Sequence, residues 1–79
     1  MELRDLQFIS RVAEFGSVTR AARELGIDPS TLSRHVAALE EELGVVLFER
    51  AHNGVRTTSA GQDVIRLVDR RGKGTPVAG

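Results

Sequence analysis

The chain has 79 residues, 41% hydrophobic and 28% charged, enough for one small domain and no second. Eleven Lys and Arg balance eleven Asp and Glu, and the pI near 6.7 gives no overall basic signal for a polyanionic partner. The absence of cysteine excludes a disulfide framework and a thiolate zinc site. No apolar run exceeds four residues, as in Val45 to Phe48, so none can span a membrane, and Met1–Asp5 lacks the apolar core of a signal peptide. A soluble, cytoplasmic protein is expected, with no membrane partner. So small a core has a thin stability margin, which favours a dimer or a very regular helical core. Three Phe, with no Trp or Tyr, argue against stacking on exposed bases.

Leu3, Leu6, Ile9, Val12 and Ala13 recur at helical spacing, predicting a helix over about 3–15 that stops at Gly16. Ser17 is a good N-cap for a short second helix, 18–25, with Ala21, Ala22 and Leu25 inward. Asp28-Pro29 opens a third helix, 29–43: aspartate caps it, and proline at the first position loses no hydrogen bond. Leu32, Val36, Leu39 and Leu43 form its apolar face, opposite Ser30, Ser33, Arg34 and Ala37. Val45–Phe48 leads into a strand, His52-Asn53-Gly54 is a turn signal, and Val55-Arg56-Thr57 returns, giving a hairpin wing over about 47–57. Thr58 caps a fourth helix, 58–70, with Ala60, Val64, Leu67 and Val68 as its stripe. Three glycines and a proline in the last eight residues predict a disordered tail, 71–79. The expected fold is mainly α with a small β-hairpin wing.

Ala21-Ala22-Arg23-Glu24-Leu25-Gly26-Ile27 is a helix-turn-helix signature: alanines let two helices cross closely, and Gly26 permits the sharp turn. The next helix then projects its N-terminal end, and a helix fits the DNA major groove, roughly 12 Å wide. Met1–Leu6, Gly16-Ser17-Val18-Thr19-Arg20-Ala21-Ala22 and Leu32-Ser33-Arg34 resemble the LysR-type transcriptional regulators. So do Leu39–Gly44, Leu47-Phe48-Glu49-Arg50 and Thr58-Ser59-Ala60-Gly61, in register without a gap to about residue 68.

The resemblance implies a winged helix-turn-helix over 1–57 and a linker helix that pairs in a dimer. It also implies sequence-specific binding of double-stranded DNA. Ser30, Thr31, Ser33 and Arg34 fall on its recognition helix, and Arg50, Asn53 and Arg56 in or beside its wing. Arg34 is placed to pair with guanine or a phosphate, against the alternative of a solvated arginine. Arg50 has a competing role as an internal partner of Glu49 or of the Glu40–Glu42 run. Asn53 before glycine is explained as well by the turn, and Thr19 either binds phosphate beside free helix amides or is ordinary first-turn chemistry. Val64, Ile65 and Val68 are the candidate dimer contacts, with packing inside one subunit as the alternative. Pro29 stands where many members have glutamine, which moves base reading to Ser30, Thr31, Ser33 and Arg34. Asp28 brings a negative charge near the phosphates, and His35 is expected to be solvated.

The family's effector-binding domain has no counterpart in these residues, and the linker helix is about half its usual length. The chain is therefore expected to be a piece of a longer regulator or a short stand-alone variant, binding no small-molecule effector itself. An alternative is an interaction module that heterodimerises with full-length regulators. An enzyme is not expected: no acid orients either histidine, His35 and His52 have no metal-site spacing, and no phosphate-cradling glycine loop occurs. No cofactor is expected. The zero net charge conceals polarity. Residues 28–47 hold one base and four acids, residues 48–79 six bases and three acids, and no acid lies between Arg50 and Gln62.

Overall fold

A computed structural model describes residues 2–72, with side chains through residue 67. The order is α1 (Leu3–Phe15), α2 (Val18–Leu25), α3 (Pro29–Leu43), β1 (Phe48–Ala51), β2 (Gly54–Thr57) and α4 (Ser59–Gly72). The helix starts are set by local chemistry. Asp5 accepts the Glu2 amide at 3.0 Å, Ser17 Oγ accepts the Arg20 amide at 3.2 Å, and Thr58 Oγ1 accepts the Gly61 amide at 3.0 Å. Gly16, Gly26 and Gly44 end the first three helices.

α1 packs against α2, α3, α4 and β2, so it is the element around which the others are arranged. One cluster joins Phe8, Val12, Ala21, Ala22, Leu32 and Val36, and holds α2 and α3 at their crossing. The two alanines are fully buried there, as close approach of the helices requires. A second cluster of Ile9, Leu39 and Leu47 takes in Leu43, Phe48, Val64 and Ile65, and anchors α4 and the start of the hairpin. Full burial of a side chain such as Ile9, Leu32 or Leu47 contributes about 1.5–3 kcal/mol. No helix among the described residues is long and apolar enough to cross a membrane.

The strand begins at Phe48, the end of the apolar run Val45–Phe48. Val45 and Val46 stay exposed in the α3–β1 loop. That loop is held by Glu40, whose Oε2 accepts the amides of Leu47 at 2.8 Å and Phe48 at 3.2 Å. α4 sits close on the same loop: a Cβ at Gly61 would lie 2.3 Å from the Leu47 carbonyl oxygen. It runs to Gly72, two residues past Arg70, where the apolar pattern has already failed. The rest of the expected disordered tail, 73–79, lies outside the described residues.

Candidate nucleic-acid interface

The candidate residues fall into two groups, one at the start of α3 and one on the hairpin. In the first, Ser30, Ser33 and Arg34 are exposed and Thr31 is half-buried, while Leu32 between them is fully buried and fixes the helix against the core. Asp28 caps α3 by accepting the Ser30 amide at 3.0 Å, and it also accepts the Ser30 hydroxyl proton. Those two bonds, hydroxyl first, hold the Asp28 carboxyl below its ordinary value, and the charge of Arg34 adds a smaller effect in the same direction.

His35 is not simply solvated. Its ring meets Phe8 edge to face, with centroids 5.2 Å apart, and its Nδ1 lies 3.9 Å from Asp5 Oδ1 on α1. It is therefore a joint between the two helices. Its neighbour Arg34 keeps an exposed side chain.

On the hairpin, β1 and β2 are antiparallel with Glu49 opposite Arg56 and Arg50 opposite Val55. Side chains alternate across a strand, so Arg50 and Arg56 stand on opposite faces of the wing. Arg50 shares its face with Phe48 and Val55, which pack against the core. Arg56 shares the outer face with Glu49, and its Nε lies 3.4 Å from Glu49 Oε2. Of the acids open to Arg50 as internal partners, Glu49 pairs with Arg56 and Glu40 holds the α3–β1 loop, and Arg50 forms no ion pair with a described residue. Asn53 is exposed in the two-residue connection with His52.

The hairpin is seated on the α1–α2 turn by the Val55 amide, which donates to the Gly16 carbonyl at 3.0 Å. This contact also explains Gly54. Its φ is +146°, and a Cβ there would lie 2.0 Å from the Gly16 oxygen. Glycine is demanded by close approach of two backbones, not only by the turn. Thr19, one residue beyond Val18 in the first turn of α2, is exposed on the element that follows this seat.

The candidate dimer residues divide. Val64 and Ile65 are half-buried and pack against Ile9, Leu39 and Leu47 of their own subunit. The side chain of Val68 lies outside the described residues. Among the described residues, Leu67 on α4 and Leu3 on α1 are the exposed large apolar side chains of the helices. Leu67 was legible as a stripe position, but not its exposure.

The sequence profile of the bacterial regulatory helix-turn-helix protein, lysR family, matches residues 3–62. The transcriptional regulator ClcR of Pseudomonas putida is 51% identical over 72 residues, covering 86% of this chain and 24% of its own length. TcbR of a Pseudomonas species is 39% identical over 77 residues, covering 92% of this chain and 26% of its own length. The chain thus spans about a quarter of the length of the curated relatives it matches. Among solved structures, the BenM DNA-binding domain in complex with catB site 1 DNA superposes with a TM-score of 0.83 at 41% identity, covering 89% of this chain and 78% of that one. Full-length CbnR in complex with its target DNA gives 0.82 at 40% identity, covering 89% of this chain and 24% of that one. With its four helices and two-stranded wing, the chain belongs to the lysR family of bacterial regulatory helix-turn-helix proteins.

Proposed function

We propose that this chain is the DNA-binding domain of a LysR-type transcriptional regulator and binds double-stranded DNA sequence-specifically as a homodimer in the cytoplasm. The observation that carries this reading is the exposed polar start of α3, on a fold that superposes on lysR-family domains in complex with DNA. α3 enters the major groove with its N-terminal half, where Ser30, Thr31, Ser33 and Arg34 reach the base edges. Arg34 pairs with guanine O6 and N7, a contact worth roughly 1–3 kcal/mol of discrimination. Arg50, Asn53 and Arg56 on the wing, and Thr19 on α2, meet the flanking backbone. Residues 1–57 form the reading unit, and α4 pairs two copies through Val64, Ile65 and Val68, with exposed Leu67 adding apolar surface. DNA complexes among the structural relatives favour this reading over the heterodimerising module.

A salt titration of binding to a palindromic duplex, with half-sites about one helical turn or roughly 34 Å apart, tests it. Affinity is expected to fall steeply as salt rises, because bound phosphates release their counterions. Arg34→Ala relaxes base preference, whereas Arg56→Ala weakens all duplexes about equally. Binding that ignores salt would overturn the proposal.

A further inference from the structure

We propose that Asp28 and Ser30 form a specificity-determining pair that selects an exocyclic amino group, cytosine N4 or adenine N6, in each half-site. This selection presupposes the DNA-binding reading, in which α3 meets the bases with its N-terminal turn. The Ser30 hydroxyl donates its proton to Asp28 Oδ2, and the Ser30 amide donates to the same oxygen at 3.0 Å. A serine hydroxyl has one proton to give and two lone pairs. With the proton committed to the carboxylate, its oxygen faces solvent as an acceptor only. The ionised carboxylate is acceptor-only as well, and Asp28, Pro29 and Ser30 are all exposed.

The intervening residue completes the pattern. Pro29 has no amide proton, and the Ser30 amide is already used by Asp28. The two side chains and the two amides of residues 29 and 30 therefore present acceptors and no donor. In the major groove, guanine O6 and N7 and thymine O4 are acceptors, while cytosine N4 and adenine N6 are donors. An acceptor-only edge repels the first group and pairs with the second. For the same reason it is unsuited to phosphate oxygens, which accept but do not donate. A glutamine at position 29 would bring a side chain able to donate and accept. The local hydrogen bonding here takes the donor away, so the start of α3 reads one class of base group.

The test is selection of bound duplexes from a random pool by the wild-type chain, Asp28→Asn and Ser30→Ala, followed by titration of duplexes carrying each base at the responding position. The wild type is expected to show one position per half-site that prefers A or C over G or T about tenfold. The A and C duplexes decide which amino group is read. Asp28→Asn gives the pair a donor and flattens the preference to about twofold or less, whereas Ser30→Ala removes one acceptor but leaves the carboxylate, so it weakens the preference without reversing it; both leave the preference set by Arg34 in place. Asparagine remains a good N-cap, and Ser30→Ala keeps the carboxylate bond to the helix amide, so thermal melts of both variants should stay close to wild type. A position that responds to neither variant, or one that responds but prefers G or T, overturns the selection while DNA binding stands. Failure of the wild type to select any duplex removes the DNA-binding reading and the selection together.

Discussion

At the start of α3 the polar groups hold one another, whereas the charges on the hairpin are held by little. Asp28 takes both the amide and the hydroxyl of Ser30, and the buried Leu32 fixes the backbone beneath them. On the wing, Arg56 is restrained by one exposed ion pair at 3.4 Å, and Arg50 forms none with a described residue. Directional hydrogen bonds on a rigid helix suit discrimination among base edges. Exposed, loosely held cations suit backbone phosphates, which any duplex supplies. Under the proposed function, the difference between the two regions is a division between reading and holding, which a chain of zero net charge can carry because its charges are unevenly placed.

The division depends on the hairpin keeping its place, and Gly54 is where that is most exposed to failure. Gly54→Ala puts a Cβ 2.0 Å from the Gly16 carbonyl oxygen, at a φ of +146° that side chains rarely adopt. The backbones must separate, and the Val55–Gly16 hydrogen bond goes with them. The expected loss of stability is about 3 kcal/mol, read by chemical denaturation. If the variant instead melts with the wild type, the wing is not seated on the α1–α2 turn.

Glu40→Ala attacks the same placement from the other end. It leaves the half-buried amides of Leu47 and Phe48 without their carboxylate acceptor, at a cost of about 1–3 kcal/mol. Glu40→Gln keeps one acceptor oxygen and should recover much of that stability. Glu41→Ala is the control, since that side chain is exposed, and it should change little. Equal effects at positions 40 and 41 would mean that the loop is held by something else.

Much of this architecture was legible because its signals are local. Ser17, Asp28-Pro29 and Thr58 each announce a helix start within three residues of the amides they cap. The i, i+4, i+7 face of α3 is likewise read off one stretch of chain. Contacts that cross between elements were not legible. Glu40 looked like one of three equivalent acids, since nothing in a Glu-Glu-Glu run says which member faces the loop seven residues on. His35 looked solvated because its partners Phe8 and Asp5 lie on another helix. Gly54 reads in the sequence as a turn residue alone, because the backbone pressing on it is 38 residues earlier. The wing register, by contrast, is local: a two-residue connection sets Ala51 opposite Gly54, hence Glu49 opposite Arg56, and so places the wing arginines on opposite faces.

That register makes Glu49 the residue by which holding is most easily adjusted without touching reading. It is the only acid between residues 44 and 62, and it faces Arg56 directly across the hairpin. A phosphate that engages Arg56 must share it with Glu49 and accept a negative neighbour. Both side chains are more than half exposed, so the pair itself is worth no more than about 1 kcal/mol. Glu49→Gln should therefore tighten binding by only about two- to fivefold, by similar factors on cognate and unrelated duplexes. The slope of log affinity against log salt should steepen by up to about 0.9, one further phosphate neutralised. Fluorescence anisotropy over a range of salt reads both quantities. Arg56→Ala placed on top of Glu49→Gln should abolish the gain, because the acid acts by competing for that guanidinium. A gain that survives the loss of Arg56 would assign Glu49 a general repulsion of the duplex. A gain confined to the cognate site would put reading on the wing and break the division between the two regions.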